Sequence, residues 1–283
     1  MHDHEVLTNH VGELIQHDSS HHRWSPYTDE MWYLITSIDD YSRYMLYADI
    51  VERETTWRHI EALEAVWLKH GFPFSYYVDN HSIFRFVERR DSVWKKHHIQ
   101  TDETDPQWKK VMTECKVKVT YALSPQAKGK IERPYRWLQD RLVRTCAREN
   151  IRTIEGAKEA LVYEVKRYNE QQVHSVTREI PALRFENALK EGKSLFRPFK
   201  VPSPYESTKD IFSIREERTT DAYRKISIDG IEMKVPGVDP YERVELRMIP
   251  DEETGLTEIR FWHDSKFMGT QKVKSLVLKR VHY

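Results

Sequence analysis

Three short runs rich in aromatic and branched residues open this chain: Gly12 to Asp18 (GELIQHD), Trp32 to Ile38 (WYLITSI) and Tyr44 to Val51 (YMLYADIV). Runs of this kind, separated by polar stretches, predict strands. The junction Asp39-Asp40-Tyr41-Ser42-Arg43 carries hairpin chemistry, because Asp and Ser side chains hydrogen-bond nearby backbone in turns. An antiparallel meander follows, and its apolar faces must be covered by whatever comes next.

The period then changes. From Thr55 to His70 apolar residues recur at Trp57, Ile60, Leu63, Ala65, Val66, Trp67 and Leu68, and Gly71 is placed as a C-terminal stop, which predicts a helix. Ser75 to Val78 (SYYV) reads as a strand ending at Asp79, Gln107 to Cys115 as a helix and Lys116 to Leu123 (KVKVTYAL) as a strand. A long helix up to Arg148 and another from Thr153 to Gln171 follow. This is the element order of a ribonuclease-H-like α/β fold: a mixed five-stranded sheet with helices on both faces. Residues 80–106 form an unusually long connection, and such loops are commonly functional or mobile.

A compositional break comes near residues 193–208, where Pro198, Pro202 and Pro204 mark a linker. Beyond it lie short alternating segments, Ile211 to Arg215, Tyr223 to Ile228, Ile231 to Val235, Arg243 to Ile249, Thr257 to Trp262 and Phe267 to Val273, with Asp229-Gly230 as a hairpin turn. They predict a small all-β barrel. The expected organisation is an N-terminal extension (1–10), the core (11–150), C-terminal helices of the core (151–192), the linker (193–208) and the barrel (209–283).

With 45 basic and 45 acidic residues the chain has no net charge, which argues against nucleic-acid binding by a uniformly positive surface. The local distribution differs. Between Ser124 and Arg148, Lys128, Lys130, Arg133, Arg136, Arg141, Arg144 and Arg148 face only Glu132 and Asp140. No apolar run approaches the roughly 20 residues that cross a bilayer, and the first eleven residues do not resemble a signal peptide. A soluble, cytoplasmic protein with no membrane partner is expected. Cys115 and Cys146, the two cysteines, form no CxxC pair and read as reduced and structural.

Placed on a helix at 100° per residue, Ile131, Tyr135, Leu138, Leu142 and Cys146 share one face, while the arginines gather opposite. Glu132 falls at the boundary, where an acid can look along the sheet into a cleft. Pro134 is comfortable only in a first turn, so the helix is expected to start near Glu132. Asp18, read as the end of the first strand, shares a face with Leu14 and Gln16. If the first and fourth strands are neighbours, Asp18 and Asp79 meet at one edge of the sheet. Carboxylates on rigid elements are the ligands that Mg²⁺ and Mn²⁺ favour, and two such ions stabilise the attacking and leaving oxygens of phosphodiester transfer. By number alone Asp39, Asp40 and Asp49 are rivals.

The stretches GELIQHDSSHHRW, SIDDYSR, YYVDNHSIF and ALSPQAKGKIERPYRWLQDRLV, in that order, resemble the catalytic core shared by retroviral-type integrases and bacterial insertion-sequence transposases, and most of all the ISNCY kind. The resemblance covers roughly residues 11–185, and the last stretch is its most specific part. It implies an Asp, Asp, Glu site made of Asp18, Asp79 and Glu132, with two Mg²⁺ or Mn²⁺ ions per active site. It also implies cleavage at transposon ends, transfer of the freed 3′-hydroxyl to target DNA, and assembly as a homo-oligomer on DNA. Sixty residues separate the first pair and 52 the second, the second interval being long because of the connection at 80–106. Lys128 and Lys130 are expected beside the scissile phosphate, with Arg133, Arg136, Arg141 and Arg144 tracking the backbone. The linker and barrel resemble those of bacteriophage Mu-like transposases, without a diagnostic motif.

The resemblance implies helix-turn-helix modules that read transposon ends, and these 283 residues open almost at once into the first strand, as a piece of a longer protein or a truncated one would, so the expectation for them is weak, salt-sensitive DNA binding without strong sequence preference. Two rival readings remain. One is an inactive or truncated integrase-fold module kept for DNA binding. The other is a zinc hydrolase built from His2, His4, His10, His17, His21 and His22, which fall into no HExxH pattern.

Overall fold

A computed structural model describes residues 8–78, 107–121, 129–278 and 281, without the side chains of 129–133. The chain divides into two compact units, residues 1–54 with 62–199, and residues 55–61 with 200–283.

The first unit is built on β1 (Leu14–His22), β2 (Trp32–Asp39), β3 (Met45–Val51), β4 (Ser75–Val78) and β5 (Lys118–Tyr121), ordered β3-β2-β1-β4-β5. The pairs β1–β2 and β2–β3 are antiparallel, as the meander predicts. β4 returns parallel to β1, pairing Leu14 with Ser75, Ile15 with Tyr76 and Gln16 with Tyr77, and β5 extends the sheet parallel to β4. Helices α1 (Thr56–His70), α2 (Gln107–Glu114), α3 (Gly129–Arg148), α4 (Ile154–Glu170) and α5 (Pro181–Lys190) complete the unit and its connections. The mixed five-stranded sheet with its helices is that of the ribonuclease-H-like fold.

Strand alternation divides the covering helices between the two faces. Leu34, Ile38, Trp24 and Ile50 join Leu138, Leu142 and Cys146 of α3 and Ala157, Leu161 and Tyr168 of α4 in one core cluster. On the other face Ile35 and Val51 pack with Ala62 of α1, and the buried His17 ring stacks on Trp108 of α2 at 5.9 Å. Polar ties fix the register of these helices. Asn169 of α4 both accepts from the Met45 amide (2.9 Å) and donates to its carbonyl (3.0 Å), and Thr145 of α3 donates to buried Glu164 of α4 at 2.7 Å. Thr153 caps α4 by accepting the Gly156 amide, which starts the helix where the sequence pattern begins.

Two expectations change in this unit. β1 does not end at Asp18 but runs on to His22, because β2 supplies ladder partners as far as His22 opposite Trp32. α3 begins at Gly129 rather than near Glu132, with Pro134 inside it. Proline at this point removes the bond to the carbonyl four residues back and crowds that carbonyl, and the apolar face beyond it holds the helix in place. The connection 80–106 and Leu123 lie outside the described residues.

In the second unit the expected strand at Ile211–Arg215 is divided. Ser207 and Asp210 form a capping box that turns Thr208–Ile211 into a short helix, α6, and β6 covers Ile214–Thr219. β7 (Lys225–Ile228) and β8 (Ile231–Lys234) make a hairpin through Asp229 (φ 49°) and Gly230 (φ 87°), the positive angles that an Asp-Gly turn supplies. β9 (Arg243–Asp251), β10 (Leu256–His263) and β11 (Lys266–Lys274) form with β6 a sheet ordered β11-β10-β9-β6. Among the described residues the six strands are thus a four-stranded antiparallel sheet and a separate hairpin, and no pairing closes them into the expected barrel. Cys115 and Cys146 are both buried, and neither is in a disulfide among the described residues.

Candidate active site

Asp18 sits in the middle strand of the first unit, half-buried, on the sheet face that α3 covers. Its direct partner across the antiparallel ladder is Thr36, so both side chains rise from the same face. The Thr36 hydroxyl donates to the phenol oxygen of Tyr135 on α3 at 2.9 Å. One turn along, Gln139 of α3 donates to Ser20 of β1 at 3.4 Å. These two contacts lay α3 along β1 in such a direction that its N-terminal turn runs back past Asp18. Glu132 lies on that turn, three residues before Tyr135, and its side chain is outside the described ones.

The neighbouring β4 contributes Tyr77, which packs against Leu14 on the same face. Its last residue is Val78. Asp79 follows directly and lies outside the described residues. The strand adjacency on which the pairing of Asp18 and Asp79 depends is therefore present.

On α3 the predicted buried face is found at Tyr135, Leu138, Leu142 and Cys146, each at most 7% exposed. Burial pushes the Cys146 thiol up to about 11, so it stays protonated at neutral pH. Arg136 and Arg144 are exposed and Arg141 is half-buried. Asp140 already engages two of them, Arg144 at 2.6 Å and Arg141 at 3.7 Å. Lys128 lies outside the described residues, and Lys130 and Arg133 are on the first turns of α3 with their side chains undescribed.

The rival acids are occupied by structural work. Asp39 is fully buried and accepts hydrogen bonds from the Gly12 amide (2.8 Å), the Ser42 amide (2.8 Å) and the Ser42 hydroxyl (2.6 Å). Burial raises its carboxyl to about 6, despite those hydrogen bonds. Asp40 accepts from Thr8, Gln16 and Arg43. Asp49 faces Lys158 at 3.6 Å. The histidines also separate: His10 meets Glu13, His17 is buried against Ser37 and Trp108, His21 stacks on Tyr33 and His22 meets the edge of Trp24. Among the described residues no group of three or more His, Cys, Asp and Glu is gathered as a metal site.

Around Asp18 the near groups on its own face, Thr36, Ser20, Tyr135 and Gln139, offer oxygen and amide atoms and no thiolate or imidazole. A hard divalent cation fits that donor set better than zinc. Sequence reasoning took Tyr135 only as a core residue. Its spacing of three from Leu138 was the signal that it lies on the helix surface turned to the sheet.

No protein-family model matches the chain. It is 31% identical over 160 residues to a Sinorhizobium fredii protein named as a transposase, y4bF, and 29% identical over 161 residues to the transposase for insertion sequence IS1202 of Streptococcus pneumoniae. These matches take in 56% and 57% of the chain but 33% of each relative, so the chain spans about a third of the curated relatives it matches. Among solved structures, a chain of the simian T-cell lymphotropic virus intasome in complex with the PP2A regulatory subunit B56 gamma superimposes with a TM-score of 0.52. That superposition covers 94% of this chain and 81% of the other at 14% identity, and it speaks for the fold alone.

Proposed function

We propose, for a chain that belongs to the superfamily of DDE transposases and integrases, that it carries the catalytic core of an enzyme that cuts and joins DNA with divalent metal ions. The observation that carries this reading is the docking of α3 over Asp18 through Thr36–Tyr135 and Ser20–Gln139. It brings the helix turn bearing Glu132 to the strand bearing Asp18. The parallel neighbour β4 ends at Val78, the residue before Asp79 in the sequence.

Asp18, Asp79 and Glu132 would hold two Mg²⁺ or Mn²⁺ ions through oxygen. When bound, such ions stabilise the attacking and leaving oxygens of an in-line displacement at phosphorus. The chain's own share is positional. A central strand fixes Asp18 between two neighbours, and α3, tied to β2 and β1, carries Glu132 near its start. Lys128, Lys130, Arg133, Arg136, Arg141 and Arg144 bind the DNA backbone in a salt-dependent way. Water attacks the phosphodiester at a transposon end and frees a 3′-hydroxyl, which then attacks target DNA. Each step exchanges one P–O bond for another, and because water and then the DNA 3′-hydroxyl are the attacking groups, no covalent link to the protein forms. The protein acts in the bacterial cytoplasm, as a homo-oligomer assembled on DNA.

The test is cleavage and joining of labelled DNA by the chain in Mg²⁺ or Mn²⁺, comparing Asp18→Asn, Asp79→Asn and Glu132→Gln. Each variant is expected to lose activity about 100-fold or more, the several kcal/mol that a broken metal clamp represents, with an unchanged circular dichroism spectrum. Undiminished activity in Glu132→Gln refutes the assignment.

A further inference from the structure

We propose that the hydrogen bond between Thr36 and Tyr135 is a latch that positions Glu132 over Asp18. The proposal rests on the reading of those two acids as parts of one active site, and it makes Tyr135 and Thr36 positioning residues. Thr36 is fully buried in β2 and stands directly opposite Asp18. Tyr135, 7% exposed, receives its hydroxyl proton at 2.9 Å and stands three residues beyond Glu132 on α3. The bond therefore ties the immediate neighbour of one acid to the immediate helical neighbour of the other.

The sequence between Glu132 and Tyr135 explains why such a tie matters. Pro134 is inside α3 and has no N–H to give to the carbonyl of Lys130. The first four residues of any helix also lack intrahelical acceptors for their amides. The turn that carries Glu132 is thus joined to the rest of α3 by fewer backbone bonds than an interior turn. Packing of Leu138, Leu142 and Cys146 into the core sets the height of α3 above the sheet. Such close packing limits rotation and sliding of the helix body, but among the described residues its apolar members on α3 begin only beyond Pro134. A buried 2.9 Å hydrogen bond just after the proline is directional and resists both. Other polar ties of α3 among the described residues lie further from Glu132: Gln139 to Ser20, at 3.4 Å, is a full turn further away, and Thr145 to Glu164 is further still.

The consequence is geometric. Mg²⁺ demands a near-ideal octahedron, and an error of an ångström in a positioned group is enough to slow a reaction by two orders of magnitude. Mn²⁺ tolerates a looser shell. Loss of the latch should therefore weaken the use of Mg²⁺ more than that of Mn²⁺.

The experiment is DNA cleavage by the full chain across Mg²⁺ and Mn²⁺ titrations, for Tyr135→Phe, Thr36→Val, their double variant, and Thr36→Ser, which keeps the hydroxyl. Expected are a Mg²⁺-supported rate lower by roughly 10- to 100-fold, the range seen when the partner of a metal ligand is removed, a raised half-saturating Mg²⁺ concentration and a higher Mn²⁺-to-Mg²⁺ rate ratio. Thr36→Ser should stay near the original, and the double variant should be no worse than either single one. A proportional fall in both metals with unmoved half-saturation, or additive losses in the double variant, overturns the proposal. If Tyr135→Phe does not fold, the contrast between Thr36→Val and Thr36→Ser decides it by the same criteria. If Asp18→Asn and Glu132→Gln keep activity, the catalytic reading itself falls. If they abolish it while the latch variants keep the original Mg²⁺ response, the latch alone falls.

Discussion

Between pH 4 and 7 the stability of the sheet unit should depend on two groups that pull in opposite directions. Burial raises Asp39 from 3.8 to about 6, so the folded chain keeps a proton that the unfolded chain has already released. Its contribution is fully present below pH 4 and is lost as pH rises through 6, and the displacement corresponds to about 3 kcal/mol. Burial first, and then the charge of Lys69, lowers His70 from 6.5 to about 4. The folded chain holds this ring neutral while the unfolded chain takes up a proton, so stability present above 6.5 is lost as pH falls towards 4. The slope from one such group is at most about 1.4 kcal/mol per pH unit, reduced here because solvent reaches part of the ring. His70 lies among Tyr44, Phe185 and Phe196 with ring centroids 5.7 to 6.5 Å away, and its Nε2 is buried with no hydrogen-bond partner among the described residues. His70→Phe fills the same space without a titrating group. Urea unfolding followed by tryptophan fluorescence from pH 4 to 7.5 should find the stability of His70→Phe, relative to the original, growing as pH falls below 6.5. Asp39→Asn should instead flatten the decline between pH 4 and 6. A pH-independent difference between His70→Phe and the original would refute the reasoning for His70, and an unaltered profile in Asp39→Asn would refute it for Asp39.

Removing Asp140 releases Arg144 and Arg141 from their ion pairs, so Asp140→Asn should tighten binding to a short duplex a few-fold at low salt and steepen the salt dependence by about one counterion. Fluorescence anisotropy across a salt series checks this, and an unmoved slope speaks against the basic stripe as a backbone contact. Gly71, at φ +91°, has the Arg197 carbonyl oxygen 2.3 Å from where a Cβ would stand. Gly71→Ala should therefore lose about 2 kcal/mol or more of stability through strain and collision, measured by thermal or urea unfolding.

Much of the site's scaffold was legible in residue order because strands and helices differ in period. The meander, the hydrophobic seam of α3 and the cap at Thr153 follow from local spacing and turn chemistry. Asp39, Asp40 and Asp49 are different. Nothing in their spacing separates them from Asp18, and only their partners, the Gly12 and Ser42 amides, Arg43 and Lys158, mark them as structural.

The sequence by itself determined the order and period of the elements of the first unit, where the basic stripe lies and which three acids to suspect. Tertiary structure decided how far β1 runs, because its length depends on ladder partners from β2 rather than on its own polar residues. It also decided the closure of the second unit, where strand pairing produced a sheet and a hairpin, and the start of α3, where packing of a distant apolar face outweighed the local objection of Pro134. Above all it decided that Thr36, 99 residues from Tyr135, stands between the strand of Asp18 and the helix of Glu132. Periodicity assigns a residue to a face, but a contact across such a separation exists only once both faces have been brought together.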